Sequence, residues 1–230
     1  MAGSIVQQRA FVTSSGVTTV SDTITGVTAG NHIVAHVGCD DGAGTITISG
    51  VSDGTAYSLG DAKRVDTGNN QFGTVYYLEN AGSGSHTVTA TATGGTPTNM
   101  VLRLFEVSGL QTSASLDKNT GQAQASPGTG ADGVSSGATA TTANANDFIM
   151  GFTQNTGEAP SGTSAITAGT GFTKSGTADY MACESKSVSS TGTQTATFTQ
   201  SVNVARVTHV IAFKEISSGP DPMLVGAMCL

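Results

Sequence analysis

The chain has 230 residues, of which 11% are charged, 5% are aromatic and none is Trp, and its formal net charge is −7. That length allows one large all-β domain or two small ones, and the low charge argues against a solvated, disordered chain. The nine basic residues are scattered, which excludes nucleic acid as a partner because phosphate neutralisation needs clustered Lys and Arg.

In chain order, "MAGSIVQQRAFVTSSG" lacks the basic stretch and apolar core of a signal peptide, so the expectation is a product made in the cytoplasm. Its Ile5 and Val6 are candidates for an apolar arm that contacts a partner. "NHIVAHVGCD" (31–40) reads as a strand. His32 and His36 have the i, i+4 spacing that chelates zinc on a helix. On a strand, at ~3.3 Å per residue, the rings stand about 13 Å apart and cannot share an ion; surface or edge-strand histidines are expected. "CDDGAG" lacks the alternating oxygen ligands of a calcium loop and reads as a hairpin turn. Cys39 and Cys183 fall in apolar strands as small buried hydrophobes, and with Cys229 they are too few for a disulfide framework or a zinc site.

Strand-like segments follow at 54–60, 73–80, 82–94 and 99–109. In "HTVTATATG" the alternation places Thr87, Thr89, Thr91 and Thr93 on one face and Val88, Ala90 and Ala92 on the other. "GSGSHTV" resembles a nucleophile elbow only superficially, since it joins two strands; it reads as a Gly-Ser hairpin containing His86. "VLRLFEV" is more continuously apolar than the alternating runs, as a central strand covered on both faces would be. Residues 111–146 are Gly/Ser/Thr/Ala-rich and read as a linker or as edge strands crossing between sheets.

The second half repeats this order: "NDFIMGFTQN" (146–155), "GTGFTKSG" (169–176), "ADYMACES" (178–185), "STGTQTATFTQS" (190–201) and "ARVTHVIAFKEIS" (205–217). Asn31 matches Asn146, Tyr57 matches Phe172, and Phe105 matches Phe213. In "TQTATFTQ", Ala196 and Phe198 point inward, while Thr195, Thr197 and Thr199 point outward. Two weakly similar repeats, about 11–110 and 111–217, are therefore expected, joined in a single antiparallel β-sandwich of jelly-roll type over 1–218. The first strand-like segment and the last would then be neighbours that close one sheet; two separate domains are the alternative.

No spacing supports a catalytic pair among Asp40, Asp61, Glu158, Asp179 and Glu184. Gly-rich stretches such as "GTGADG" lack the Lys-Ser/Thr of a phosphate loop. Tyr57, Tyr76, Tyr77 and Tyr180 all lie inside strand-like runs, so they read as packing residues and not as a sugar-stacking platform. No enzyme activity, cofactor or metal is expected. After Gly219-Pro220-Asp221-Pro222 the chain turns apolar, with Met223, Leu224, Val225, Met228 and Leu230 in an extended tail over 219–230. No apolar run approaches the roughly 18 residues of a membrane helix.

The paired elements "NHIVAHVGCD…GTAYSLG…YYLENAGSGSHTVTATATG…VLRLFEVSGL" and "NDFIMGF…GTGFTKSG…GTQTATFT…VIAFKEI" resemble the β-sandwich modules of phage virion proteins and of bacterial surface proteins. The resemblance covers about 11–216 and rests on pattern, without a catalytic motif. It implies a structural or adhesive role. With no leader read at the start, the expectation is a virion component, above all a capsid decoration (cement) protein. Such a protein would form a homo-oligomer, for example a trimer, and bind another virion protein such as the major capsid protein, with Ile5, Val6 and the tail as contacts. A fibre or tail subunit, or a carbohydrate-binding adhesin module, are the alternatives.

Overall fold

The computed structural model describes residues 2–40, 42, 44–65, 70–158, 164–176 and 180–216. Strands dominate them, as the abundance of β-branched residues and the Gly-rich turns dictate. The first half supplies β1 (Ser4–Gln8), β2 (Val12–Ser15), β3 (Thr19–Val27), β4 (His32–Asp40), β5 (Thr47–Ser52), β6 (Ser58–Val65), β7 (Gln71–Leu78), β8 (Gly84–Thr93) and β9 (Asn99–Ser108). The second supplies β10 (Leu116–Gln124), β11 (Val134–Ser135), β12 (Asp147–Gln154), β13 (Ile166–Ala168), β14 (Thr173–Ser175), β15 (Met181–Val188), β16 (Thr197–Gln200) and β17 (Arg206–Lys214).

These strands build four antiparallel sheets. An inner sheet of the first half runs β1-β9-β4-β7-β6, with β2 also on β9, and an outer sheet runs β3-β8-β5. The second half has an inner sheet β10-β17-β12-β15-β14 and an outer sheet β11-β16-β13. The two halves thus place their strands in the same relative order. The first and last strands are not neighbours: β1 pairs with β9, whereas β17 pairs with β10 and β12. Each half closes on its own strands.

The sheets stack outer–inner–inner–outer, which makes a sandwich of four layers with three cores. The side-chain period of two explains how one strand feeds two cores. In β4, Ile33, Ala35, Val37 and Cys39 face the outer sheet, and Val34 faces the other half. In β17, Val210 and Ala212 face outward, and Ile211 and Phe213 face the other half. The central strands of the inner sheets are therefore covered on both faces, and β9 and β17 are buried at nearly every position, their polar residues included. The outer strands keep one wet face, and β8 alternates Thr with Val and Ala as its sequence demands. The segment 111–146 contributes edge strands to two sheets, β10 beside β17 and β11 beside β16.

Three local readings need correction. The segment "CDDGAG", expected as a hairpin turn, leads from β4 of the inner sheet to β5 of the outer one, and these strands do not pair. His32 and His36 are fully buried, because β4 lies between β9 and β7 and its even-numbered face meets the second half. "GSGSHTV" is not a hairpin but a crossing between sheets, since β7 belongs to the inner sheet and β8 to the outer one.

Candidate functional site

The middle layer, where the two inner sheets meet, concentrates the ionisable and polar chemistry. Its apolar part is Val34, Val75, Tyr77, Phe105, Val107 and Leu110 against Phe148, Met150, Phe152, Cys183, Ile211 and Phe213. Register places Arg103 beside His36, His36 beside Val75, and Val75 beside Asp61 across the first sheet. Across the second, Gly121 lies beside His209, His209 beside Phe152, and Phe152 beside Cys183. These two rows face each other. The His36 and His209 ring centroids are 6.4 Å apart, and His36 packs on Phe152 at 5.1 Å.

Hydrogen bonds cross the seam along its length. His209 Nδ1 bonds Asp61 Oδ2 at 2.7 Å, and Lys63 Nζ donates to Asp61 Oδ1 at 2.8 Å. His32 Nε2 meets Ser115 Oγ at 2.9 Å, and the Ser115 hydroxyl donates to Glu79 Oε1 at 2.6 Å. Gln71 Nε2 donates to Asn155 Oδ1, and the Thr156 N–H donates to Gln71 Oε1. Gln154 Nε2 reaches the Phe72 carbonyl, and Arg103 reaches the Met181 carbonyl. Glycines make the room: a Cβ at Gly38 or Gly73 would lie within 2.8 Å of the Gln154 amide group, and one at Gly121 would collide with Asp61 and His209.

Burial governs the protonation of these groups. It lowers His32 to about 4, against the opposing charge of Glu79. It drives His36 well below the ordinary imidazole range, and the charges of His209 and Arg103 push the same way. His209 is lowered by burial, although the Asp61 carboxylate pulls it back up. Neutral imidazoles are the result; among the described residues, Nδ1 of His32, both nitrogens of His36 and Nε2 of His209 make no hydrogen bond.

The remaining chemistry is distributed and structural. Glu184 is buried between the inner and outer sheets of the second half, where it accepts the Gly169 and Thr197 N–H groups. Burial raises its carboxyl to about 7. It stands in a different core from Asp61, so these two acids do not form a pair. Asp147 is raised to about 6 by burial, with Asp117 and Glu215 adding to the effect. His86 is held near the start of β8 by Asp53 on one ring nitrogen and the Gly82 carbonyl on the other. Tyr57, Tyr76, Tyr77 and Tyr180 are buried, as are Cys39 and Cys183. Among the described residues, no group of three or more His, Cys, Asp or Glu is spaced to hold a metal ion, and no helix is long and apolar enough to cross a membrane.

The surface of the first outer sheet is lined by hydroxyls. Ser21 bonds Thr89 at 2.8 Å, Thr23 bonds Thr87 at 2.9 Å, and Thr47 bonds Thr93 at 3.3 Å, each across strands. Of the expected contact residues, Ile5 packs against the middle core and Val6 is 52% exposed beside it on β1. Met223, Leu224, Val225, Met228 and Leu230 lie outside the described residues. The last described residue, Ile216, helps line a shallow depression of about 390 Å³ with Gln111, Thr112 and Ser113. The seam escaped the sequence reading because its partners, such as Asp61 and His209, are 148 positions apart. Comparison of the chain with protein-family models, curated proteins and solved structures gives no match.

Proposed function

We propose that this chain is a structural protein of a virion, a capsid decoration (cement) protein that stabilises a particle through contacts with copies of itself and with the major capsid protein. The observation that carries this reading is the strand order. Each half sets four strands in the order β2-β9-β4-β7 or β10-β17-β12-β15 against a small sheet β3-β8-β5 or β11-β16-β13. Jelly rolls built from two such sheets recur in viral capsid and lectin domains. We read the halves as two jelly rolls derived from one repeat, with β6 and β14 attached to the large sheet instead of completing the small one. The polar outer sheets then serve as the outward surfaces, and the apolar segment 223–230 as the contact.

In an extended conformation, eleven residues from Pro220 reach roughly 35 Å. Each buried Met, Leu or Val contributes about 1.5–3 kcal/mol before ordering costs. Sedimentation of the full chain and of a chain stopped after Gly219 tests this. The full chain is expected as an oligomer and the shortened one as a folded monomer; equal masses for the two refute the contact. The lectin-like alternative draws on the same strand order and on the hydroxyl face of β3, β8 and β5. With every Tyr buried, that face would bind a glycan without aromatic stacking, and glycan-array binding lost on substituting Thr87 and Thr89 would favour it.

A further inference from the structure

We propose that the middle layer is an acid-opened seam: protonation of His32, His36 and His209 parts the half carrying β1–β9 from the half carrying β10–β17, while each half keeps its own outer core. All four histidines of the chain are described, and three of them are fully buried in this one layer. The fourth, His86, sits near the start of β8 in an outer sheet, with a carboxylate on one nitrogen and a carbonyl on the other. It is built to carry a proton; the other three are not.

The groups facing each imidazole decide the outcome. His36 on β4 faces Arg103 of β9, His209 of β17, and Phe152 and Gln154 of β12. A proton there adds a cation between a guanidinium and a second imidazole, favoured only by the Gln154 side chain and, among the described residues, by no carboxylate in contact. His209 faces Asp61 and Lys63 of β6 and His36 of β4, and its Nε2 has no partner among the described residues. Asp61 already bonds Lys63, so it offsets only part of a second charge. His32 faces Phe213 of β17 and Ser115, with Glu79 beyond the Ser115 hydroxyl. Charging these rings in a dry layer, where a carboxylate touches only His209 among the described residues, is costlier than charging them in water. Parting the sheets restores that water.

The outer cores respond differently. Between β4, β9 and the first outer sheet the titratable members of the core are Cys39, which burial pushes up to about 12, and Tyr57 and Tyr76, whose phenols burial also raises, so acid charges none of them. In the second half the buried Glu184 prefers its protonated form, so acid relieves that core. The halves remain tethered through 109–115, where Gly109 and Ala114 hold positive φ of 78° and 49°.

The two buried thiols report on different layers: Cys39 lies in the first outer core and Cys183 in the middle one. In a full-length Cys229→Ser variant, their reaction with a dipyridyl disulfide is followed between pH 7.5 and 3.5, with peptide mapping to assign each site. Cys183 is expected to become reactive at least tenfold faster than Cys39 in acid, with the far-ultraviolet circular dichroism retained. His36→Leu should move that onset down by on the order of one pH unit. Simultaneous exposure of both thiols, or protection of both to pH 3.5, overturns the proposal. If His36→Leu fails to fold, the two rates in the Cys229→Ser protein decide alone.

Discussion

Gly121 on β10 tests how tightly the seam is built. It has no unusual backbone angle among the positive-φ residues, so Ala is tolerated by the chain itself; the obstacle is space. A Cβ there would overlap Asp61 Oδ2 and lie 2.8 Å from His209 Nδ1 and 3.0 Å from the Lys63 side chain. Gly121→Ala must therefore displace Asp61 from His209. Loss of a hydrogen bond to a charged group costs about 1.5–3 kcal/mol, and overpacking a filled layer adds about 1–3 kcal/mol. A destabilisation of about 3–5 kcal/mol is expected, which for a chain of this size lowers Tm by roughly 10 °C. Urea unfolding at pH 7.5 measures it. Gly50→Ala is the control, because a Cβ at Gly50 meets nothing within 4 Å and its φ is not positive; it should stay within about 0.5 kcal/mol of the parent. If Gly121→Ala behaves like Gly50→Ala, the close approach of Asp61, His209 and β10 is wrong.

Phe152→Ala empties the centre of the same layer, where the ring contacts His36 and Phe105, and calorimetry should show a loss of about 3–5 kcal/mol. Glu184 is raised from 4.5 to about 7, so its contribution is fully present below pH 4.5 and lost as pH rises through 7; in Glu184→Gln the fall in urea midpoint across that window should disappear. Burial opposes protonation of His86, but its bonds to Asp53 and the Gly82 carbonyl raise it overall. That contribution is complete below the ordinary imidazole value and lost as pH rises through the folded one, so Asp53→Asn should lower the His86 midpoint seen by proton NMR.

The sequence made the strands legible wherever one face is wet. Thr87, Thr89 and Thr91 alternate with Val88, Ala90 and Ala92 because water touches only one side of β8. The continuous runs of β9 and β17 were equally readable as doubly covered strands. What covers them was not readable. Nothing local in "HIVAH" distinguishes a polar side chain at a sheet edge from one sealed beneath a second sheet, and the residue that seals His36 is Phe152. The hairpin expected at Gly82–Ser85 failed for a related reason: Gly and Ser permit a tight reversal and a crossing between sheets alike.

Two apolar sheets can slide over each other with little change in buried area, because burial is non-directional. Hydrogen bonds are directional, and a displaced one leaves a buried group unpaired at about 1–3 kcal/mol. The seam places such bonds at widely separated points: Gln71 with Asn155 and Thr156, Asp61 with His209, and Glu79 through Ser115 to His32. A shift by one strand spacing breaks all three sets at once, whereas Phe105, Phe152 and Phe213 would find new contacts. The polar residues therefore specify one docking of the halves where the apolar ones supply the attraction. The same residues include the imidazoles that acid charges, so the groups that fix the alignment at neutral pH are those that would release it.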